Sequence, residues 1–403
     1  DPSGDTSLDD VLKRSFEKVR EYPPQFGYTD AAVWLTFKYR NPGDIVWLSV
    51  NYPMLDDVQI FILDEHQNLL SAYPLGDRLN FIERVLLRPE FTVPLPASES
   101  PISVYLRVQS GSSLEVPMTI SEDVVLRQTM ESSAWIQGLF FGAMVMLGLY
   151  HILIFLSSGD RSYLYFGGLS LTMALIQATL WGRSYQFLWP ESPGWNDIAV
   201  SVLINASNFF GVLYIAKVVK ICESHRWINI AAMTLAITSA VMVGLSLYLP
   251  YADVIYPTLL LSMMTFITGA TIVIVRMRRG YPPAFAVFVA GLMYTLGSAS
   301  YILGKLGVFN NSLLLDNALA LGQLLQVLLF AFALSVRMAM DKELRERAQR
   351  DTAHAQALLL ETEREQNMRL DQEVKARTQE LREANARLEK ISTTDSLTGL
   401  YNR

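Results

Sequence analysis

Among 403 residues the chain has one cysteine, Cys222, and four histidines, His66, His151, His225 and His354. A single thiol excludes an internal disulfide framework, so an exported domain must be held together by its own core. The histidines are scattered, with no cysteine or carboxylate at ligand spacing, and zinc-finger and EF-hand patterns are absent; no metal site is expected within the chain. Basic residues form no stripe: after residue 337 they alternate with Glu and Asp, and the net charge is −6, which argues against nucleic acid as a partner. Asp1 also lacks a basic n-region followed by an apolar core, which an exported domain normally needs. The expectation is that the numbering starts after a removed leader or part-way into a domain.

Apolar sequence is what the chain has in quantity: 51% of residues are hydrophobic and 18% charged, with the charges gathered towards the two ends. Crossing a hydrocarbon core takes about 20 apolar residues. Such runs lie near 134–156, 162–182, 196–219, 227–249, 253–276, 282–304 and 313–337. Seven spans put the two ends on opposite sides. Arg161, Lys217, Lys220, Arg226, Arg276, Arg278 and Arg279 share one side, against Arg183 and Lys305 on the other. The basic side is cytoplasmic, so residues 1–130 lie outside and the segment after Arg337 inside. Trp181, Trp189, Trp195 and Trp227 sit near span ends, as in an aromatic belt. Within the spans, His151, Asn205, Asn208, Gln323 and Gln326 are costly polar groups, and Gly138 with Gly142 offers a GxxxG-type contact.

The outer segment reads as all-β. After a helical stretch, Leu8–Val19, short apolar or alternating runs occur at Ala32–Tyr39, Ile45–Val50, Val58–Leu63, Leu69–Tyr73, Arg84–Leu87, Phe91–Val93, Ile102–Val108 and Leu114–Ile120, separated by Pro- and Gly-containing turns. This spacing predicts a β-sandwich or jelly roll. Trp34, Tyr39, Tyr52, Arg84, Tyr105 and Arg107, with Trp47 and Tyr73, are candidates to line a pocket for a small extracytoplasmic ligand, a sugar or a carboxylated solute. Asp56-Asp57 and Asp64-Glu65 supply the acidic density that calcium would need.

The tail is helical. Asn367, Leu370, Val374, Arg377, Leu381, Ala384, Leu388 and Ile391 alternate at spacings of three and four, the seam of a left-handed coiled coil and of a parallel homodimer. Leu344, Ala348, Asp351, Ala355 and Leu358 form a poorer seam in another register, which implies a stutter near 360–366.

Phe26-Gly27-Tyr28-Thr29-Asp30-Ala31-Ala32-Val33-Trp34-Leu35 with Arg40-Asn41-Pro42, Gly76-Asp77 ahead of Arg84, and Tyr105-Leu106-Arg107-Val108-Gln109 resemble the extracytoplasmic β-domain of bacterial seven-transmembrane receptors with diverse intracellular signalling modules, the 7TMR-DISM receptors. The resemblance covers roughly residues 20–337 and implies a multi-pass protein of the bacterial inner membrane in contact with membrane lipid, its N-terminal domain periplasmic and its C-terminus cytoplasmic. Members of that family usually carry a further strand before the position of Asp1, which implies a shortened N-terminus.

Asp395, Leu397, Thr398, Gly399, Leu400, Asn402 and Arg403 resemble the opening motif of GGDEF diguanylate cyclase domains, placed directly after a signalling helix as those domains place it. In that family Asp395, Asn402 and Arg403 belong to the hinge between linker and catalytic body. The resemblance implies a cyclase that joins two GTP into cyclic di-GMP with Mg²⁺. Its catalytic signature lies beyond Arg403, so no catalytic residue is assigned in this chain. The resulting division is 1–130 sensor domain, 131–337 seven-helix bundle, 338–392 coiled coil and 393–403 start of the GGDEF domain. A degenerate GGDEF or a kinase output is the first alternative, although His354 is not followed by a dimerisation helix pair. A transporter or retinal-type protein is the second; span 313–337 has no lysine for a Schiff base and no ionisable relay crosses the spans.

Overall fold

A computed structural model of the chain describes residues 1, 4–19, 22–111, 113–220, 226–305, 317–393, 397 and 399–401. Cys222, His225, Asp395, Thr398, Asn402 and Arg403, singled out above, lie outside the described residues. The chain divides into two units, Asp1–Arg337 and Met338–Arg403.

Alternation builds the outer domain. After a one-turn helix α1 (Leu8–Val11), the strands are β1 (Gln25–Tyr28), β2 (Val33–Asn41), β3 (Val46–Val50), β4 (Asp57–Leu63), β5 (Leu69–Leu75), β6 (Phe91–Leu95), β7 (Ser98–Gln109), β8 (Ser113–Glu115) and β9 (Met118–Glu122). They form antiparallel sheets of order β2-β7-β4-β5 and β6-β3-β9, with β1 paired to β8. In β7 Ile102, Val104, Leu106 and Val108 are buried while Ser103, Tyr105 and Arg107 turn to the other face. Those four meet Leu48, Val50, Phe91 and Val93 of the three-stranded sheet in one core, so the sheets face each other. Pro74 and Pro94 fall in β5 and β6, both edge strands, where a missing N–H costs no ladder bond.

Three expectations are corrected here. The helix predicted to Val19 stops at Val11, and Phe16 lies instead against Tyr105, with ring centroids 5.9 Å apart. Arg84–Leu87 is not a strand, because the Arg84 guanidinium donates to the Arg88 and Pro89 carbonyls and closes that segment into a loop. Leu114–Ile120 is two strands, β8 and β9, separated at Val116-Pro117, where the proline has no N–H to continue a ladder.

Seven helices among the described residues are long and apolar enough to cross a membrane. They are α2 (Asp123–Ser158), α3 (Arg161–Leu180), then, after the short α4 (Arg183–Phe187), α5 (Pro193–Val218), α6 (Arg226–Ser246), α7 (Tyr251–Arg278), α8 (Pro282–Lys305) and α9 (Ala318–Thr393). Helix α9 belongs to the first unit up to Arg337 and to the second from Met338.

Close helix contacts are made at glycines other than the expected pair. Among the described residues nothing lies within 4 Å of where a side chain would begin at Gly138 or Gly142. At Gly297, by contrast, a Cβ would stand 2.5 Å from the Ala318 carbonyl oxygen and 3.0 Å from Gly322 Cα, and at Gly148 and Gly167 it would meet α3 and α2 respectively. Backbone atoms cannot give way. Gly297→Leu is therefore expected to destabilise the bundle by about 2–3 kcal/mol, read as a lowered melting temperature in detergent, while Gly138→Leu leaves it unchanged. Equal melting of the two variants would refute this account of the α8–α9 contact.

Candidate functional site

The six residues proposed to line one pocket occupy three places. Trp34, Tyr105 and Arg107 share the outer face of the four-stranded sheet, since Trp34 pairs across from Arg107 and Tyr105 from Phe61. Trp34 stacks on Phe61 at 5.9 Å, and its Nε1 is buried with no hydrogen-bond partner. The Arg107 guanidinium is already engaged: it bonds the Asp57 carboxylate, the Gly4 carbonyl at 2.7 Å and Gln109 Oε1 at 2.8 Å. Tyr39 and Tyr52, with Tyr73, are half-buried against the domain core. Arg84 lies elsewhere, in the loop towards the bundle. Of the acidic pairs weighed for calcium, Asp57 holds Arg107, and Asp64 accepts from the His66 and Asn68 backbone N–H groups, closing a turn. Among the described residues no group of three His, Cys, Asp or Glu is placed to hold a metal ion.

A denser polar site joins the β-domain to the bundle. The loop between β5 and β6 reaches α4 and the start of α5: Tyr185 donates to the Leu79 carbonyl at 2.6 Å, Phe81 N–H to the Pro190 carbonyl at 2.9 Å, and Gln186 Nε2 to the Leu87 carbonyl at 2.9 Å. Arg84, 8% exposed, is caged by the rings of Phe81 at 4.5 Å, Phe91 at 4.6 Å and Tyr185 at 5.7 Å. A guanidinium on aromatic faces gains most when desolvated. Here it pins one residue each of the loop, β6 and α4. Trp47 adds a tie from β3 to the start of α2, donating to Asp123 Oδ1 at 3.3 Å.

Beside Arg84 three carboxylates converge. Gly76, at φ +143°, leaves no room for a Cβ, which would stand 2.1 Å from the Asp56 carbonyl oxygen, and this close turn delivers Asp77 into the interior. Asp77 accepts from Asn196 Nδ2 of α5 at 3.4 Å, and Asn196 Oδ1 accepts from Trp189 Nε1 at 3.2 Å. Asp56 holds Arg78 at 2.7 Å and Ser110 Oγ at 2.8 Å. Burial, then the Asp56 and Asp197 charges, push the Asp77 carboxyl up to about 8, against the pull of Arg84 and Arg78. The fold thus prefers the neutral acid, and stability contributed by this group declines as pH rises from about 4 towards about 8. The melting temperature of the protein is expected to fall across that window, and Asp77→Asn to flatten the fall while keeping the Asn196 contact. A slope identical in the variant would contradict it.

The match to known families bears on this two-part architecture. The family described as 7TM diverse intracellular signalling matches residues 133–337, and the one described as 7TMR-DISM extracellular 2 matches residues 1–122. The chain belongs to the 7TM diverse intracellular signalling family. It is a multi-pass membrane sensor with a signalling role and an extracytoplasmic N-terminal domain. No curated protein shows significant similarity to this receptor.

At the end of its bundle opposite the β-domain the 7TMR-DISM receptor carries a second polar site. Asp160 caps α3, its Oδ1 accepting from Ser162 N–H at 2.9 Å and Ser162 Oγ at 2.8 Å. Arg337 of α9 donates to the same Ser162 Oγ and to Asp160 Oδ2 at 3.3 Å. Burial raises the Asp160 carboxyl, but the Ser162 hydrogen bonds and the Arg337 charge outweigh it and hold it below the ordinary range.

Two of the five intramembrane polar residues tie helices together: Asn205 Nδ2 reaches Thr258 Oγ1 and Asn208 Nδ2 reaches Ser262 Oγ, both at 2.8 Å, linking α5 to α7. His151 Nδ1 meets the carbonyl of Leu147 on its own helix at 2.8 Å. Gln323 and Gln326 are buried, each with an Oε1 that has no hydrogen-bond partner among the described residues. Asp77, Asn196, Tyr185, Asp160 and Arg337 were not among the candidate residues. Their signal in the sequence is position: each is a polar residue at a span end or next to a turn glycine.

Proposed function

We propose that the receptor converts an extracytoplasmic signal into cyclic di-GMP synthesis at the bacterial inner membrane. The observation that carries this reading is the end of the chain: α9 runs without a break from Ala318 to Thr393, and Asp395 to Arg403 then carry the residues that resemble the opening of a GGDEF domain. The seam residues Leu370, Val374, Leu381, Leu388 and Ile391 are 55–72% exposed on that helix, which supports a parallel coiled-coil homodimer in which they, with Ala384, meet their counterparts. A cyclase that joins two GTP across a dimer interface is gated by how the two helices are held, with no contact to its active site. GTP and Mg²⁺ belong, in this reading, to residues past Arg403, and no step of the chemistry is assigned to residues 1–403.

For the outer domain the proposed class is a jelly-roll sandwich. The proposed ligand surface is the face bearing Trp34, Phe61 and Tyr105, whose rings suit a sugar better than a carboxylated solute, because Arg107 is already paired. The test is cyclic di-GMP production from GTP and Mg²⁺ by the full-length receptor, including the residues that follow Arg403, purified in detergent. Product above a no-enzyme control is the expected result. Absence of product from a folded dimer, with and without candidate sugars, would sink the cyclase reading in favour of a degenerate GGDEF or another output.

A further inference from the structure

Between α2 and α3, at the outer end of the bundle, lies a groove of about 560 Å³, a volume within the roughly 300–1,000 Å³ of small-molecule sites. Gly138, Phe141 and Val145 of α2, Leu171 and Ala178 of α3 and Leu188 line it, so its wall is apolar. Gly138 leaves its side of the groove open, with nothing within 4 Å of where a side chain would begin. One end carries a cation. Arg183 borders the groove, half-buried, and its contacts among the described residues are to neutral acceptors, Gln137 Oε1 at 2.7 Å and Gln186 Oε1 at 2.8 Å. Burial, the largest influence, draws its pKa down; Glu90 opposes this from beyond ion-pair distance and is itself held by Arg88 at 2.9 Å.

We propose that this groove binds a free fatty acid, its acyl chain along Gly138, Phe141 and Leu171 and its carboxylate on Arg183. The apolar wall at the depth of two membrane spans selects an alkyl chain, and its volume suits one chain. The guanidinium donates Nε to Gln137 and one Nη1 hydrogen to Gln186, leaving the Nη2 edge for a carboxylate, which a neutral lipid cannot supply. The site also lies beside the coupling loop, because Gln186, which accepts from Arg183, donates to the Leu87 carbonyl of the β-domain. A bound carboxylate would thus bear on the contact through which the outer domain meets the bundle.

The test is photolabelling of the full-length receptor in phosphatidylcholine nanodiscs with a diazirine-bearing palmitate, competed by palmitate or hexadecanol. Label is expected on peptides between residues 134 and 188, with palmitate competing about tenfold better than hexadecanol. Arg183→Gln should erase that preference, and Gly138→Leu, which fills the groove without a clash, should abolish the label. Three outcomes would overturn the proposal: equal competition by acid and alcohol in the unmodified receptor, labelling unchanged by Gly138→Leu, or conversion of a dimer to a monomer by Gly138→Leu, which would show that a second copy occupies the groove. Should Gly138→Leu fail to fold, the acid-over-alcohol preference in Arg183→Gln still decides, its survival refuting the assignment.

Discussion

With the proposed cyclase output and coiled-coil dimer, replacing Leu381 and Leu388 together by Asp is expected to reduce cyclic di-GMP output of the full-length receptor by at least about tenfold and to convert the proposed dimer to a monomer in detergent. Both leucines lie on one face of α9, 64% and 63% exposed, and on that helix alone they have nothing to bury them. Pairing with a second helix would cover them, and burying a leucine stabilises by roughly 1.5–3 kcal/mol. Aspartates at those positions lose that term and bring like charges together across the seam. Neighbouring cations are already engaged, because Arg377 in the seam pairs with Glu380 and Lys375 with Asp371, both exposed pairs closed within one helix. Gln379→Asp, on the opposite face, is the control and should alter neither quantity. Light scattering and product assays on the three proteins decide the matter: a double variant that remains dimeric and active would remove the coiled coil from the mechanism.

Much of this architecture is legible in the sequence, because it follows from periodicity and charge count. Seven apolar runs give seven helices, and basic residues such as Arg276, Arg278 and Arg279 gather at the ends opposite the β-domain. The strands emerge where alternation is uninterrupted, as in β7, and are misread where one residue redirects the backbone: Pro117 divides β8 from β9, and Arg84 holds 84–88 in a loop. What composition cannot supply is which distant residues meet. Trp34, Tyr39, Tyr52, Arg84, Tyr105 and Arg107 look alike as aromatic or basic strand residues, yet they divide between an outer face, an inner face and a loop, and a shift of one residue along a strand exchanges the first two. Among the described residues of one chain, Gly297 and Gly322, on different helices, form the close contact that the GxxxG spacing at Gly138 and Gly142 suggests. Arg84 itself stood out as a functional candidate, but its role belongs to the rings of Phe81, Phe91 and Tyr185, and the last of these lies beyond an entire transmembrane hairpin.

The second large effect is expected at Arg337. This side chain is 7% exposed on the helix that continues to Thr393, and it holds Ser162 Oγ and Asp160 at the start of α3. Removing one member of a fully buried pair costs about 3–5 kcal/mol. Asp160 keeps about a third of its side chain in water, at 34% exposure, so the loss for Arg337→Gln should be smaller, about 1–3 kcal/mol. Spread over a two-state output helix, a change of that size alters the balance of states by about fivefold to a hundredfold, since each 1.4 kcal/mol is a factor of ten. The receptor should then lose its response to the extracytoplasmic signal while still inserting in the membrane. Asp160→Asn separates the two roles of the carboxylate, because asparagine keeps the cap on α3 and removes the charge that faces Arg337. A double-mutant cycle of Arg337→Gln with Asp160→Asn, read by thermal melting and by disulfide trapping of Ala384→Cys in the seam, should give a coupling of about 1 kcal/mol or more. Additive effects would mean that Arg337 acts by filling space at the end of the bundle, and the pair would then have no part in holding the output helix.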